Sequence, residues 1–512
     1  MSQQAAKAQE STGRRAPAAA LPEWLTLLGQ SEVGGRDYEP EVTGRIPQDL
    51  SGALYRNGPG LFERGGRRKP HLLDGDGLIQ RLSFQDGRVR YRNAFVHTVK
   101  FEREAQADAY LYPTWSMRKP GGMLANLGAG DNQSQAGVTV YPFQGKLHAF
   151  DEVSPAWMID PADLTTIGPS TIGQSTIGQN AAGTGTAPRF MLKAHTKFDA
   201  ARGEWLLMGV EHGRRMRLHA MTYGPGGALR SHLVTDSPRQ VYIHDFFATA
   251  RYFVFPLHPM QIALLPFLTG LSSYIESLRW RPEEGNLLLV LPRDGGKPQI
   301  LEAPAAFMWH ALNAYDEGEG IIADFIGYDT PDHFAPKGAL FYQIMAGHAG
   351  RTGRTGRTGR TGRTGSAEHP GQLRRYRIDL ARSRVGEEIL DAGAHEFPMV
   401  DPRVALRRHR AGFMTAGGHT LFNSGLKRFD YDGGASTMFD FGPDAMVGEP
   451  VFVPRPGGGE NEGWLIAQGL DGVRRKAFFA IFDAGALAEG PLATIRLAHS
   501  LPISFHGCWM AA

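Results

Sequence analysis

The sequence predicts an all-β chain, a β-propeller built from many short strands, and three observations lead there. Glycine (65) and proline (33) are abundant and punctuate short segments rich in Val, Ile, Phe, Tyr and Leu, the pattern of strands joined by tight turns. Long amphipathic helical patterns are scarce. Strand-and-turn units recur through most of the chain without a strict period, as when each blade keeps its pattern and loses its sequence. The clearest unit is Arg81–Phe84, an Asp86-Gly87 turn and Arg88–Tyr91, where alternation puts one apolar face inward. Leu287–Leu291 before Asp294-Gly295-Gly296, Leu373–Asp379, Leu426–Tyr431 before Asp432-Gly433-Gly434, Lys476–Phe482 before Asp483, and Trp157–Pro161 follow the same plan. A pair of β-sandwiches is the alternative architecture.

Composition excludes several classes. Lys plus Arg (55) nearly balance Asp plus Glu (52), and much of the small excess lies at Arg14-Arg15 and in an Arg-Thr-Gly run, so no basic field for nucleic acid remains. The single cysteine, Cys508, rules out an internal disulfide and a cysteine-rich metal site, and fits a reducing, cytoplasmic compartment. Residues 1–22 lack the apolar core of a signal peptide and read as a disordered leader, leaving residues 23–512 as one domain. Two inserts, 166–180 built on Thr-Ile-Gly and 351–365 made of Arg-Thr-Gly triplets, carry too little apolar surface to fold and are expected to be mobile loops. The apolar segment 255–280 is interrupted by Pro259, Pro266 and Gly270 and is too short to span a bilayer. It reads as a cap that either roofs a cavity or dips into a membrane surface, and Arg279, Trp280 and Arg281 at its end favour the second.

Among eighteen histidines, four have similar settings. His195 lies in Lys-Ala-His-Thr-Lys-Phe-Asp, His244 in Tyr-Ile-His-Asp-Phe-Phe, His310 in Phe-Met-Trp-His-Ala-Leu-Asn-Ala-Tyr and His506 in Ser-Phe-His-Gly-Cys-Trp, each among apolar residues at a strand end. Taken singly, each is better explained as a hydrogen-bonded structural histidine.

At these settings the chain resembles the carotenoid cleavage oxygenase family, whose members include apocarotenoid oxygenases, stilbenoid-cleaving dioxygenases and the retinoid isomerohydrolase. The resemblance runs from about Gly44 to Trp509 through motifs in the same order: Leu54-Tyr55-Arg56-Asn57-Gly58-Pro59-Gly60, Asp74-Gly75-Asp76-Gly77, Phe307 to Tyr315, and Gly448 to Gly458, the last similar to bacterial apocarotenoid oxygenases. Membership implies a seven-bladed β-propeller with a helical cap. It also implies one Fe(2+) held by His195, His244, His310 and His506, with Glu152 serving His244, Glu396 serving His310 and Glu449 serving His506. Neutral imidazoles suit ferrous iron, and four of them leave positions open for O2; a carboxylate on the far ring nitrogen fixes the tautomer. The chain departs from the family at Thr196, where proline is common, at Leu78, at Asp316-Glu317, and in the spacing after Glu152.

The implied reaction is O2-dependent scission of a conjugated carbon–carbon double bond into two carbonyls, with an apolar polyene reaching the iron from a membrane surface through segment 255–280. Stilbenoid cleavers of the family tend to carry lysine beside the first glutamate, where this chain has Asp151, so an apocarotenoid is expected and a stilbenoid is the alternative. The isomerohydrolase docks on membranes through a cysteine-bearing motif that is absent here. A metal-free propeller that only binds an apolar ligand is the reading from another class.

Overall fold

The structure, a computed structural model, describes residues 22–129, 132–153, 155–173, 190–335, 339–347, 370–418 and 421–512. Seven antiparallel sheets of four or five strands follow one another as the blades of a propeller, so the pair of sandwiches is excluded. Beginning with the innermost strand, blade II starts at Thr139–Phe143, III at Met191–Asp199, IV at Phe247–Ala248, V at Phe307–Glu317, VI at His395–Met399 and VII at Ala445–Pro454. Blade I takes its inner strand from the other end of the chain: His506–Ala511 pairs with Gly52–Leu61. Blade VII in turn receives its outermost strand, Glu41–Gly44, from near the start. The ring is therefore closed twice by backbone hydrogen bonds, which leaves blades I and VII no free junction to pull apart.

Buried apolar side chains fill all seven gaps between blades. Tyr55 meets Val140 between I and II, Phe150 meets Trp205 between II and III, and Met208 and Phe253 share a cluster between III and IV. Val290 and Phe325, Leu312 and Met414, Phe413 and Phe452, and Trp464 and Leu82 do the same in the remaining four. The alternation that predicted strands thus places one set of side chains in each gap. The hairpin at Asp86-Gly87 closes as read: Gln85 pairs with Arg88, and both turn residues have positive φ (50° and 70°), the backbone that a two-residue turn of this hand requires.

Two segment boundaries differ from the sequence reading. Thr166–Pro169, expected at the start of a mobile insert, is the outer strand of blade II, pairing with Trp157–Ile159. Backbone pairing with a formed edge, rather than apolar content, orders it; residues 174–180 of that insert, all of 351–365, and the leader as far as residue 21 lie outside the described residues. Segment 255–280 also begins inside the propeller, because Tyr252–Leu257 is a strand of blade IV. An apolar run gives no sign of where a buried strand ends and a cap starts. The cap excursion proper is a small hairpin, Met260–Ile262 with Leu278–Trp280, carrying the short helices Leu264–Leu268 and Tyr274–Ser277. No helix among the described residues is long and apolar enough to cross a membrane.

The amino-terminal motif explains how blade I holds the axis. Arg56, with no exposed surface, donates from Nε to Ser504 Oγ (2.6 Å) and from Nη1 to the Glu449 carbonyl (2.8 Å), and Nη2 reaches the carbonyls of Ser504 and Phe505. Asn57 Nδ2 donates to the carbonyls of Ala136 and Thr139, and Gly58 lies where a Cβ would fall 2.4 Å from the Ile503 carbonyl oxygen. One short motif thereby ties blade I to II and VII. Replacing the guanidinium strands several buried carbonyls, so Arg56→Met is expected to lower the unfolding free energy by about 3 to 5 kcal/mol. The check is a reduced urea midpoint at unchanged slope.

Candidate metal centre

The inner strands carry irregularities where the chemistry-bearing residues lie. The pairing register shifts between Leu192 and Thr196 around His195, between Met308 and Ala311 around His310, between Glu396 and Met399, and between Val447 and Pro450 around Glu449. A bulge breaks the strict alternation of a strand and turns a side chain off the sheet normal, here toward the axis. Phe397 adds a positive φ of 51°, uncommon for an aromatic residue, immediately after Glu396.

The structure brings all four histidines together. Donor atoms of His195, His244 and His310 lie within 4.8 Å of one another, with the Nε2 atoms of His195 and His244 2.9 Å apart. The His506 ring centroid is 4.6 Å from those of both His195 and His310. Two nitrogens bound about 2.1 Å from one metal at right angles lie about 3 Å apart, so the spacing fits ligands of a single ion. All four residues are buried. Burial, and then the neighbouring imidazoles, hold His195 and His244 well below the ordinary histidine pKa; burial also lowers His506 despite the opposing carboxylate of Glu449. These three rings are neutral near pH 7, the form a metal requires.

Glu152, Glu396 and Glu449 stand behind three of the rings. His310 Nδ1 donates to Glu396 Oε2 at 2.5 Å, while Tyr328 Oη donates to Oε1 at 3.0 Å and the Phe397 N–H also reaches Oε2. His506 Nδ1 donates to Glu449 Oε1 at 2.9 Å, and the Gly507 N–H to Oε2 at 2.7 Å. Burial alone would raise the Glu449 pKa, but His506, Arg56 and that N–H hold it below the usual range. Glu152 Oε1 lies 2.8 Å from His244 Nδ1 and its carboxylate is pressed against the Lys193 ammonium, yet neither oxygen is well aligned for a hydrogen bond. Tyr242 Oη, 2.9 Å from the same Nδ1, shares that corner. Among the described residues, the carboxylate facing His195 is that of Asp245, 3.9 Å from Nδ1.

Cavities approach the histidines from both ends of the axis, and the inner strands sort them. Lys193, Trp309 and Phe505, just before His195, His310 and His506, line cap-side cavities, and Thr196, Ala311 and Gly507, just after them, line the far side. A cap-side mouth of about 300 Å³ lies between the helix Leu264–Leu268 and Asp151, Glu152 and Lys193. Trp115 lines both this mouth and a smaller apolar pocket, walled by Trp309, Phe341 and Phe397, that ends on His244, His310 and His506. An axial cavity of about 580 Å³ reaches His195, His310 and His506 from the opposite face.

A buried four-histidine cluster backed by three carboxylates at the end of an apolar pocket is what the resemblance implied, and comparison with known proteins decides the family. The chain matches the retinal pigment epithelial membrane protein family over residues 30–511. It belongs to the carotenoid oxygenase family. The apocarotenoid-15,15'-oxygenase of Synechocystis sp. is 30% identical over 95% of this chain and 96% of that protein. Isoeugenol monooxygenase of Pseudomonas putida is 27% identical, covering 96% and 98% of the two chains, and resveratrol cleavage oxygenase 1 of Aspergillus fumigatus 26%, covering 96% and 95%. A cobalt-substituted structure of the Synechocystis oxygenase superposes with a TM-score of 0.83 at 29% identity, covering 96% of this chain and 98% of that one. As a member of a dioxygenase family, the protein is an oxygenase.

Sequence reasoning missed Arg56, Lys193, Tyr242 and Asp245 as parts of the site. Arg56, Lys193 and Asp245 meet partners from other blades, and Tyr242 meets His244 of its own segment, so no local pattern marks them. Beyond the metal centre, His71, His148 and His258 are held to about pH 4 by burial. In the unfolded chain such rings take up protons near pH 6.5, so between about pH 6.5 and 4 the unfolded state binds more protons. Stability of the metal-free protein is therefore expected to be fully present above about pH 6.5 and to fall as the pH is lowered through that window, read as a decline in urea midpoint.

Proposed function

We propose that the protein is an Fe(2+)-dependent dioxygenase that cleaves a conjugated carbon–carbon double bond of an apocarotenoid to carbonyl products. The observation that supports this most directly is the convergence of His195, His244, His310 and His506, with Glu152, Glu396 and Glu449 behind three of them, at the end of an aromatic-walled pocket. Those four residues would hold the iron, which when bound supplies activation of O2 beside the alkene. The remaining work belongs to the chain itself. Glu396 and Glu449 fix the tautomers of His310 and His506 by accepting from Nδ1, and Glu152 faces His244 Nδ1 at 2.8 Å, which leaves Nε2 of the three rings for the metal. Trp309, edge-on to His244 at 4.6 Å, and Phe397, stacked on His310 at 5.3 Å, shield the site from water and offer flat walls to a planar polyene. Purified protein reconstituted anaerobically is expected to hold one Fe(2+) per chain and to release aldehydes from apocarotenals. His310→Ala should lose both iron and products, and wild-type protein that stays iron-free would remove the reading.

One observation favours the stilbenoid alternative. Lys193 of blade III lies against Glu152 in the mouth, so a lysine stands beside that glutamate in space although Asp151 precedes it in sequence. The isoeugenol and resveratrol names among the relatives point the same way. Incubation with apocarotenals and with resveratrol in parallel decides between them, and aldehydes from resveratrol alone would select the stilbenoid reading.

We further propose that substrate arrives from a membrane surface. Leu124 and Leu265 are about three-quarters exposed (76% and 75%), and Met123, Leu127, Leu268 and Leu271 are also exposed around the mouth. A Cβ on Gly270 would meet the Met123 carbonyl and Asn126, so the two segments form one apolar surface, an unusual amount to leave in water. Leu124→Asp with Leu265→Asp is expected to abolish cosedimentation with phospholipid vesicles while leaving iron content unchanged.

A further inference from the structure

Asp245 borders the metal centre at a distance too long for a direct hydrogen bond to His195. It is 1% exposed, and a carboxylate buried to that extent persists only when fully partnered. Its partners come from three blades. The Phe246 N–H, two residues past His244, donates to Oδ1 at 2.7 Å. The Ala311 N–H, one residue past His310, donates to Oδ2 at 2.9 Å. The Lys197 ammonium, two residues past His195, lies 2.8 Å from Oδ1 and 2.9 Å from Oδ2. One carboxylate is thus tied within two residues of three of the four histidines, each on a different blade. Ala311 also sits between two register shifts of its strand, where the ladder constrains it least.

The same carboxylate faces His195, whose Nδ1 is 3.9 Å from Oδ2. That separation is too long for a direct hydrogen bond and short enough for one bridging water. His244, His310 and His506 each have a glutamate in contact with Nδ1, whereas among the described residues the carboxylate facing His195 Nδ1 is that of Asp245.

We propose that Asp245 is a positioning residue of the metal centre, which locks the segments bearing His195, His244 and His310 in register and accepts from His195 Nδ1 through one water. The proposal rests on the metal-binding reading above and is tested on metal uptake rather than turnover. Titrating the metal-free protein with Co(2+) gives an affinity and a d–d absorption spectrum, and the spectrum reports ligand geometry that a purely structural role would leave unchanged. Asp245→Ala is expected to weaken Co(2+) binding by about 10- to 100-fold and to shift the visible bands; Asp245→Asn, which keeps an acceptor for one N–H, should fall between. The control is Asp324→Asn, which disturbs a second fully buried acid, on blade V, held by Arg375 at 2.7 Å and facing His409 at 3.2 Å rather than any of the four clustered histidines. It should lower the melting temperature without moving affinity or spectrum. If Asp245→Ala does not fold, Asp245→Asn carries the test. Wild-type affinity and spectrum in a folded Asp245 variant would overturn the proposal alone, whereas wild-type protein that takes up no cobalt would overturn the metal reading and this proposal with it.

Discussion

The site depends on one constraint: the inner strands must bend toward the axis at the histidines and still be held as strands. A regular strand alternates faces strictly and would send every second side chain into a gap between blades. The register shifts around His195, His310, Glu396 and Glu449 release that alternation locally, and each costs ladder hydrogen bonds. Such irregular segments survive because the surrounding structure over-determines them. The ring is closed at two places, an apolar cluster fills every gap, and Arg56 pins the carbonyls immediately before His506. Rigidity elsewhere is what allows irregularity at the axis.

Electrostatics adds a second requirement. Mutually facing imidazoles repel protons from one another, which with burial keeps His195 and His244 neutral. Three carboxylates then sit in the same low-dielectric volume, and each needs its own partner beyond a histidine. The protein solves this differently each time. Glu396 receives a neutral tyrosine hydroxyl, Glu449 a backbone N–H with Arg56 3.9 Å away, and Glu152 a lysine. The corner at Glu152 is accordingly the most charged and the least well aligned, and it is also the one that opens onto the mouth. His244, the histidine behind the residues that line the mouth, is therefore the one backed by the most adaptable contacts.

How much of this was legible in the sequence follows from the range of the interactions. Local ones were readable: the Asp86-Gly87 turn needs positive φ at both residues, and the apolar–polar alternation of Arg81–Tyr91 fixes which face is buried. The histidines and glutamates stood out through their motifs, because collinear motifs carry information that a single buried histidine does not. Element limits were not readable where an apolar run continues from strand to cap, as at Phe255, or where a glycine-rich segment gains order from pairing with an existing edge, as at Thr166–Pro169. Least legible were contacts across blades. Nothing in Lys-Ala-His-Thr-Lys says that one lysine faces Glu152 and the other Asp245, since the partners are 41 and 48 residues away and meet only once the ring has formed.

That last case bears on substrate choice. The mouth is two-sided: Trp115, Phe267 and Tyr274 offer aromatic surface, while Asp151, Glu152 and Lys193 offer charge. A wholly apolar chain lying in it would bury three charged groups against hydrocarbon, which is costly unless they satisfy one another. Lys193 and Glu152 do so in part, whereas Asp151, raised by burial to a pKa of about 6, accepts two backbone N–H groups among the described residues, from Gln135 and Glu152. An apolar polyene therefore fits the inner pocket better than the mouth, and a molecule with an oxygen function at one end and an alkene several ångströms inward matches both walls. For the substrates proposed above, the gradient from charged mouth to aromatic interior would set which end leads, because the polar end loses least by remaining outside.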